Sequence, residues 1–399
     1  MKRMRRILAA GVAIALCAVA VTGCQSTASD TSGGPGSEQP AAEPYRVGVV
    51  LSLTGTYAAL GTSEKQALEL EIERINASGG VNGREIALFI EDDATDEAKA
   101  VAATSKLIDQ ENVIAIIGAT GTGQSMAMRS ELQRAGVPQL SMAGGTVVTA
   151  EFDPLVFQTP WSNTLVVPFV LDAIKQDGHT KVALLSDTGG YGKDGRDVIL
   201  GAAEQAGIEI VEDSTFNPGD NDMTVQLTRI KSSQAEALLL WTAGKEAGTA
   251  VKNAASLGLE LPLYGGSGQA RKEFIEGSGE AGEGFVFGTG KSLVPANWGE
   301  GSAEYGVVSD FATRYEERFG TPPDIFAGHA FDAVLLLVDA LERAGDEPDP
   351  AAVRDALEGV SGVAGFGGIF TFSADDHNGL TADDLALYRI EDGKWVTIR

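Results

Sequence analysis

The chain has 399 residues, 43% of them hydrophobic, which is enough for two ordinary domains with separate cores. Its formal net charge of -26 argues against a nucleic-acid-binding surface and against electrostatic attachment to an anionic membrane. The 50 glycines show no collagen-like period and indicate many tight turns between regular elements.

The N-terminus has the organisation of an export signal. Four basic residues precede an uninterrupted apolar segment, 7–21, that is too short and wrongly flanked for a membrane-spanning helix. The following Val-Thr-Gly-Cys, 21–24, resembles a bacterial lipobox, which implies diacylglycerol on the Cys24 thiol and cleavage before it. We predict a signal peptide over 1–23 and a lipid anchor on the outer face of the cytoplasmic membrane. The alternative is an ordinary signal followed by a chance cysteine.

Removal of the signal changes both charge and cysteine content. It takes away four positive and no negative charges, so the mature net charge becomes 26 − 56 = −30. Cys17 is lost and Cys24 stays as the only cysteine, so a disulfide, a cysteine-zinc cluster and thiol catalysis are excluded within one mature chain. Residues 24–44 form a Ser/Gly/Pro-rich stretch with little to bury, which predicts a lipid-attached flexible tether.

From Tyr45 onward, strand and helix patterns alternate. Ser63 and Gln66 form a capping-box pattern at the start of the first helix, and Gly79-Gly80 predict its end. Fully apolar strands alternating with helices indicate a parallel sheet that is covered on both faces. The predicted strands are 45–53, 85–92, 113–118 and 137–142, and the predicted helices are 63–78, 96–109 and 123–135.

The same alternation restarts in the second half and predicts a second open sheet. Two long helices follow, at 310–320 and 328–345, and the chain ends in a strand hairpin, 385–399, around Glu-Asp-Gly. The fold class is therefore α/β with two sheets in succession, and the late elements add to one or the other. The predicted helices are 165–176, 192–207, 223–233 and 246–258, and the predicted strands are 181–187, 208–216, 236–243 and 261–266.

A glycine-rich turn joins the third predicted strand to its helix. A dinucleotide site needs G-x-G-x-x-G after the first strand, but here Met126 stands at the third glycine position, and no phosphate-loop pattern occurs. The free N–H groups at the helix start, near Gly121, Thr122 and Gly123, favour a carboxylate or another anion, and Thr122 adds a hydroxyl. The alternative is that these glycines only permit a tight turn.

The sequence gives little support for a catalytic site or a metal site. None of the three histidines accompanies a serine in a nucleophile motif, and G-x-S-x-G does not occur. The acidic run 91–97 lacks the glycine and terminal glutamate of a calcium loop and is better explained as a helix start. We therefore expect no catalytic residues, no metal and no cofactor. Tyr191 and Trp241 follow second-sheet strands, where each could equally line a pocket or fill the core.

A series of sequence blocks resembles the solute-binding receptors of branched-chain amino-acid-type ABC importers. The resemblance extends in order over essentially everything from Tyr45 on, and an N-terminal signal, lipobox and tether are typical of such receptors. The matching blocks are 46–61, 75–96, 113–125, 135–145, 191–197, 219–241, 279–288 and 326–341.

This resemblance implies a type I periplasmic-binding fold of two Rossmann-like lobes joined by a three-strand hinge. Lobe one would comprise 45–160 plus 288–378, and lobe two 161–287 plus 379–399. A ligand would bind in the cleft, and the closed form would dock on the membrane permease and ATPase of an importer. The protein would be a monomer and not an enzyme. A sensory receptor subunit with the same cleft is the alternative.

The resemblance also implies ligand contacts. Gly121, Thr122 and Gly123 would hold the ligand carboxylate, and the Ala143 carbonyl would lie in the next loop, with Gly144. In that loop Gly145 occupies the position of an expected hydroxyl, which the adjacent Thr146 could replace. The predicted ligand-binding residues are Gly121, Thr122, Gly123, Ala143, Gly144, Gly145, Thr146, Trp161, Tyr191, Trp241, Thr242 and Ser267.

One departure from the receptor pattern concerns the ligand's ammonium group. Ser267 stands where family members that bind amino acids place an acid, and a buried ammonium without a carboxylate is costly. Asp187, at the end of a second-lobe strand, is a possible substitute. Trp161 and Trp241 would suit an aromatic ring. We therefore expect a small carboxylate, either an amino acid or an organic acid with or without an aromatic ring, and branched-chain amino acids are the alternative ligand class.

Overall fold

A computed structural model describes residues 43–399. The predicted signal peptide, Cys24 and the tether up to residue 42 lie outside the described residues and stay predictions. The helices of the described part are α1 Ala58–Ala77, α2 Glu97–Asp109, α3 Thr122–Ala135, α4 Val147–Ala150, α5 Asn163–Gln176, α6 Gly190–Ala206, α7 Thr224–Ser232, α8 Glu246–Ser256, α9 Lys272–Ser278, α10 Ala303–Phe319, α11 Ile325–Arg343 and α12 Pro350–Glu358.

The strands follow the apolar runs of the sequence closely. They are β1 Tyr45–Leu51, β2 Ile86–Asp92, β3 Ala115–Gly118, β4 Gln139–Ser141, β5 Val156–Gln158, β6 Lys181–Asp187, β7 Glu209–Phe216, β8 Ala237–Trp241, β9 Leu263–Gly265, β10 Val286–Gly290, β11 Ser361–Ala364, β12 Ile369–Thr371, β13 Leu385–Glu391 and β14 Lys394–Thr397. Central strands such as β3 and β8 are buried along their whole length because helices cover both faces of each sheet.

The first sheet is parallel throughout, with strand order β2-β1-β3-β4-β5. Helix α1 packs against α11, so the late helices complete the layer over this sheet. The β11-β12 ribbon lies beside α10. The segment that follows β12 is joined to β5 by the Gln158 N–H, which donates to the His377 carbonyl at 2.9 Å. We call this sheet, with α1–α4 and α10–α12, lobe one.

The second sheet has the order β7-β6-β8-β9-β10-β13-β14. Strands β6 to β10 are parallel, whereas β13 and β14 form the predicted C-terminal hairpin and add to the edge in antiparallel fashion. We call this sheet, with α5–α9, lobe two. The chain passes between the sheets after β5, after β10 and before β13.

These passages bear on the predicted lobe bounds. Strand β10 belongs to the second sheet up to Gly290, so the second passage follows the predicted position, Gly288, rather than coinciding with it. The bounds 45–160 plus 288–378 and 161–287 plus 379–399 stay predictions.

The predicted capping pair at Ser63 and Gln66 is wrong. Helix α1 already begins after Tyr57, so both residues lie inside it. The Ser63 hydroxyl donates to Asp324 Oδ2 at 2.9 Å, and Gln66 Oε1 accepts from the Tyr315 hydroxyl at 2.8 Å. The polar pair therefore joins α1 to the late helical segment, a long-range contact that a local pattern cannot distinguish from a cap.

Candidate functional site

A small cavity lies where the carboxyl ends of the two sheets face each other. Its walls come from the segments that follow β1, β3 and β4 in lobe one and β6, β8 and β9 in lobe two. Pro160 and Trp161, on the first passage between the lobes, and the start of α11 complete it. Open parallel sheets bind ligands at this edge because their connecting loops diverge there.

The start of α3 supplies donors for an anion. Gly121 is the N-cap, in an extended conformation and with no side chain to cap the helix. The first N–H groups of a helix lack intrahelical acceptors and carry the positive end of its dipole. The Thr122 hydroxyl beside them is buried and has no hydrogen-bond partner within the described part of the chain. Thr122 therefore lies on the wall with an unused hydrogen-bonding group.

The hydroxyl of the neighbouring Thr120 already has hydrogen-bond partners within the protein. Its hydroxyl donates to the Glu64 carboxyl and accepts from the Ser52 N–H at 3.1 Å. Burial raises the pKa of Glu64 well above its usual value. This buried network holds the turn in place, so that of the two threonines in this turn Thr122 is the one whose hydroxyl can reach a ligand.

The rest of the wall is aromatic and uncharged. Among the wall residues that the structure describes there is no Asp, Glu, Lys or Arg. Trp161 is fully buried and its indole N–H donates to the Gly367 carbonyl at 2.8 Å, which fixes the ring against the cavity. Tyr57, Tyr191 and Phe326 add three further rings. Such a wall favours an apolar or aromatic body over a second charge.

The structure places half of the predicted ligand residues on the cavity wall. Their positions agree with the argument from strand ends, and their contacts with a ligand remain predictions. The residues on the wall are Gly121, Thr122, Gly144, Trp161, Tyr191 and Ser267.

Some predicted residues of the two lobe-one loops do not lie on the cavity wall. They contact other parts of the protein instead. Gly123 faces Gly190 of lobe two, and the Ala143 and Gly145 carbonyls accept from the Gln158 side-chain amide at 2.7 and 3.0 Å. The Thr146 hydroxyl is buried and has no hydrogen-bond partner among the residues that the structure describes, but it lies away from this cavity.

Trp241 and Thr242 also lie behind the wall. The Trp241 ring stacks under Tyr191 with centroids 6.2 Å apart, and the Thr242 hydroxyl accepts from the Gly244 N–H at 3.3 Å. Both residues support the wall from the lobe-two core, and direct contact with a ligand stays a prediction for them.

Sequence reasoning missed ten wall residues. Tyr57 and Leu60 follow β1 and could have been found by the same strand-end argument. Phe326 and His329 lie on α11, and no local pattern connects that helix with strand ends more than 180 residues earlier. The missed residues are Tyr57, Leu60, Thr120, Met142, Pro160, Ala243, Gly268, Ile325, Phe326 and His329.

Asp187, the possible partner for an ammonium group, lies behind the wall. Its Oδ1 accepts from the Gly189 N–H at 2.7 Å, whereas Oδ2 is buried, packs on Gly192 and has no hydrogen-bond partner in the described region from residue 43 onward. Burial raises the pKa of Asp187 to about 6. The structure therefore brings no carboxylate onto the described wall of the cavity.

Substitution of Asp187 by asparagine is expected to stabilise the protein at pH 7.5. The native pKa of about 6 exceeds that of an unfolded aspartate, so the native state loses stability as pH rises towards and through 6. Asparagine keeps the acceptor for Gly189 and removes the buried charge. A shift of about two pKa units corresponds to about 2–3 kcal/mol at pH 7.5 and less than about 1 kcal/mol at pH 4.

Urea unfolding at the two pH values measures this difference. Asp197→Asn, a change at a side chain that is 61% exposed, is the matched control and should shift stability little at either pH. An equal effect of Asp187→Asn at pH 4 and pH 7.5 would show that the carboxylate is not destabilised by burial.

Comparisons with known proteins agree with this architecture. The family described as periplasmic binding protein matches residues 44–394. Leu/Ile/Val-binding protein homolog 3 of Brucella melitensis is 27% identical over 354 residues, covering 88% of this chain and 92% of the relative. The branched-chain amino acid transporter substrate-binding protein LivJ of Streptococcus pneumoniae, solved with isoleucine, superposes with a TM-score of 0.78 and 26% identity, covering 89% of this chain and 100% of its own. A solute-binding protein of an ABC transporter from R. palustris, solved with benzoate, superposes with a TM-score of 0.79 and 26% identity. This match covers 89% of this chain and 95% of its own.

The predicted α/β fold of two Rossmann-like lobes is thus confirmed, as is the resemblance to receptors of the branched-chain amino-acid type. Proteins of this kind are exported and bind solutes rather than transform them. In residues 43–399, no helix combines the length and the apolar character that crossing a membrane requires. The match extends over nearly all of the described chain, and the protein belongs to the periplasmic binding protein family.

Proposed function

We propose that this protein is the substrate-binding component of an ABC importer, that it captures a small organic carboxylate between its lobes, and that it delivers this ligand to the permease and ATPase. The observation that carries the proposal is the unpartnered Thr122 hydroxyl at the start of α3, in a wall without charged side chains. We further propose a monomer exported by its signal peptide and anchored through Cys24. Mass spectrometry of the membrane-bound protein tests the anchor.

The chemistry of the wall favours a ligand without an ammonium group. Moving an ammonium into a closed cavity costs several kcal/mol unless a carboxylate or several acceptors receive it. Ser267 stands where that acid was expected, and Asp187 lies behind the wall. The relative in complex with benzoate supports an organic acid, and the relative in complex with isoleucine supports branched-chain amino acids as the second candidate.

A matched ligand pair separates these two candidates. Leucine and 4-methylpentanoate share the carboxylate and the side chain and differ only in the ammonium group. Calorimetry on the protein without its signal peptide is expected to show at least about tenfold tighter binding of 4-methylpentanoate. Tighter binding of leucine would overturn the preference for an organic acid. Absence of binding by both, by benzoate and by isoleucine would count against capture of a small carboxylate.

A sensory receptor subunit would use the same cavity and is the second candidate function. Uptake of a ligand found by calorimetry distinguishes the two, because deletion of the protein abolishes import only if it serves a permease. Unchanged uptake in the deletion strain would favour the sensory function.

Replacement of Thr122 by valine is expected to weaken binding of a carboxylate about tenfold. Valine keeps the size of the side chain and removes one hydrogen bond to a charged group, which contributes about 1.5 kcal/mol. The dissociation constant of the tightest carboxylate of the panel measures the effect. Thr228→Val, at an exposed position on α7, is the control. Equal affinities of Thr122→Val and wild type would show that the Thr122 hydroxyl does not bind the ligand.

A further inference from the structure

Two residues of the cavity wall carry buried side-chain nitrogen or oxygen atoms that have no hydrogen-bond partner among residues 43–399. One is Thr122, assigned above to the carboxylate. The other is His329, of which both ring nitrogens are unpartnered. Buried polar groups in proteins are nearly always hydrogen-bonded, and each unsatisfied group costs about 1–3 kcal/mol. His329 is therefore a second polar group on this wall that a ligand can reach.

The surroundings of His329 fix its ring without using its nitrogens. The residue lies in the first turns of α11 with an exposed fraction of 3%. The rings of Trp161 and Phe326 meet the imidazole edge to face, with centroid distances of 5.5 and 5.8 Å. By contrast, Nδ1 of the buried His377 forms a hydrogen bond with the Val156 carbonyl at 2.9 Å. The His377 ring thus has a hydrogen bond to the described part of the chain, whereas the His329 ring has none there.

The charge state of His329 limits what it can recognise. Burial lowers the pKa of the imidazole to about 3, so the ring is neutral and offers one N–H donor and one lone pair. A hydroxyl group both donates and accepts, so it suits whichever nitrogen faces the ligand. An ammonium group could use only the lone pair, and a second carboxylate would lack a cation. A hydroxyl is therefore the group that this position favours.

We propose that His329 is a specificity-determining residue that hydrogen-bonds a hydroxyl group of the ligand, and that the substrates are small aromatic hydroxy acids. The carboxylate would lie at the start of α3, and the aromatic body would lie among Trp161, Tyr191 and Phe326. This inference rests on the proposed function and adds the second polar group of its ligand.

The test compares benzoate with 2-, 3- and 4-hydroxybenzoate by calorimetry on wild type, His329→Phe and His329→Asn. Wild type should bind at least one hydroxybenzoate about tenfold or more tightly than benzoate. His329→Phe should lose that preference and keep the affinity for benzoate within about threefold. His329→Asn retains a donor and an acceptor and should keep part of the preference. His179→Phe, a change at a histidine in lobe two away from the cavity, should behave as wild type.

Several outcomes would overturn the inference. One is that His329→Phe keeps the preference for hydroxybenzoate. Another is that the wild type binds benzoate with an affinity equal to or higher than its affinity for every hydroxybenzoate. Binding of leucine or 4-methylpentanoate without any hydroxybenzoate would overturn it and leave the capture of a small carboxylate intact. Absence of all binding would instead count against the proposed function. If thermal melting shows that His329→Phe does not fold, a folded His329→Leu variant takes its place, since leucine also lacks a donor and an acceptor, and retention of the full preference by that variant decides against the inference.

Discussion

Replacing Gly190 with alanine is expected to weaken ligand binding at least about 100-fold and to leave the stability of the unliganded protein unchanged or slightly higher. Gly190 begins α6 in lobe two and faces the first turn of α3 in lobe one. A Cβ atom at position 190 would lie 2.8 Å from Gly123 Cα and closer still to its amide nitrogen, nearer than real Cβ atoms approach backbone. The helices can relieve this overlap by separating the lobes.

We expect such a change to act on the proposed closure of the lobes rather than on ligand contacts. A ligand that binds the closed form loses apparent affinity in proportion to the fraction of closed protein, and 100-fold corresponds to about 2.7 kcal/mol. Gly201→Ala is the matched control, because it lies on the same helix with open space around its Cβ position. It should gain up to about 1 kcal/mol in stability through helix propensity and keep the wild-type affinity.

Calorimetry with the tightest carboxylate and urea unfolding of the unliganded protein measure both expectations. Small-angle scattering adds a direct readout. In the presence of ligand, the radius of gyration of the Gly190→Ala protein should stay larger than that of the wild type. Wild-type affinity of Gly190→Ala would mean that ligand binding does not need the close approach of α3 and α6.

Replacing Asp194 with alanine is expected to weaken ligand binding about 100-fold, mainly through faster dissociation. Asp194 lies on α6 in lobe two, and its carboxylate accepts from the Thr146 and Val147 N–H groups in lobe one at 2.7 and 3.1 Å. It also accepts from the Asn163 side-chain amide at 2.7 Å. The carboxylate thus caps α4 across the boundary between the lobes, and opening of the lobes breaks two of these bonds.

The magnitude follows from the charge on the acceptor. A hydrogen bond to an ionised group contributes about 1.5–3 kcal/mol, so the loss of two such bonds in the closed form accounts for about 100-fold or more. Stopped-flow dissociation rates with the tightest carboxylate measure the effect. Asp197→Ala removes an exposed carboxylate from the same helix and should leave the rate unchanged. Equal rates of Asp194→Ala and wild type would show that this cap does not hold the lobes together.

Local sequence patterns predicted most of the fold. Strand β6 was predicted at its observed bounds, 181–187, because a continuous apolar run, 182–185, is followed by the polar Ser186 and Asp187. The hairpin of β13 and β14 was predicted from two strand patterns around Glu-Asp-Gly. These features depend on neighbours within a few residues. The short strand β5, by contrast, has only three residues and too little pattern to be recognised.

By itself, the sequence determined that the chain alternates strands and helices, that it has two successive open sheets and that Thr122 follows the end of a strand. Only the tertiary structure decided that His329 shares a wall with Thr122, that Asp187 lies behind that wall, and that Asp194 caps a helix of the other lobe. The physical reason is that strand and helix periodicity depends on contacts between near neighbours. Burial and hydrogen-bond partners, by contrast, depend on segments that are far apart in the chain and meet only when the sheets and their helices pack.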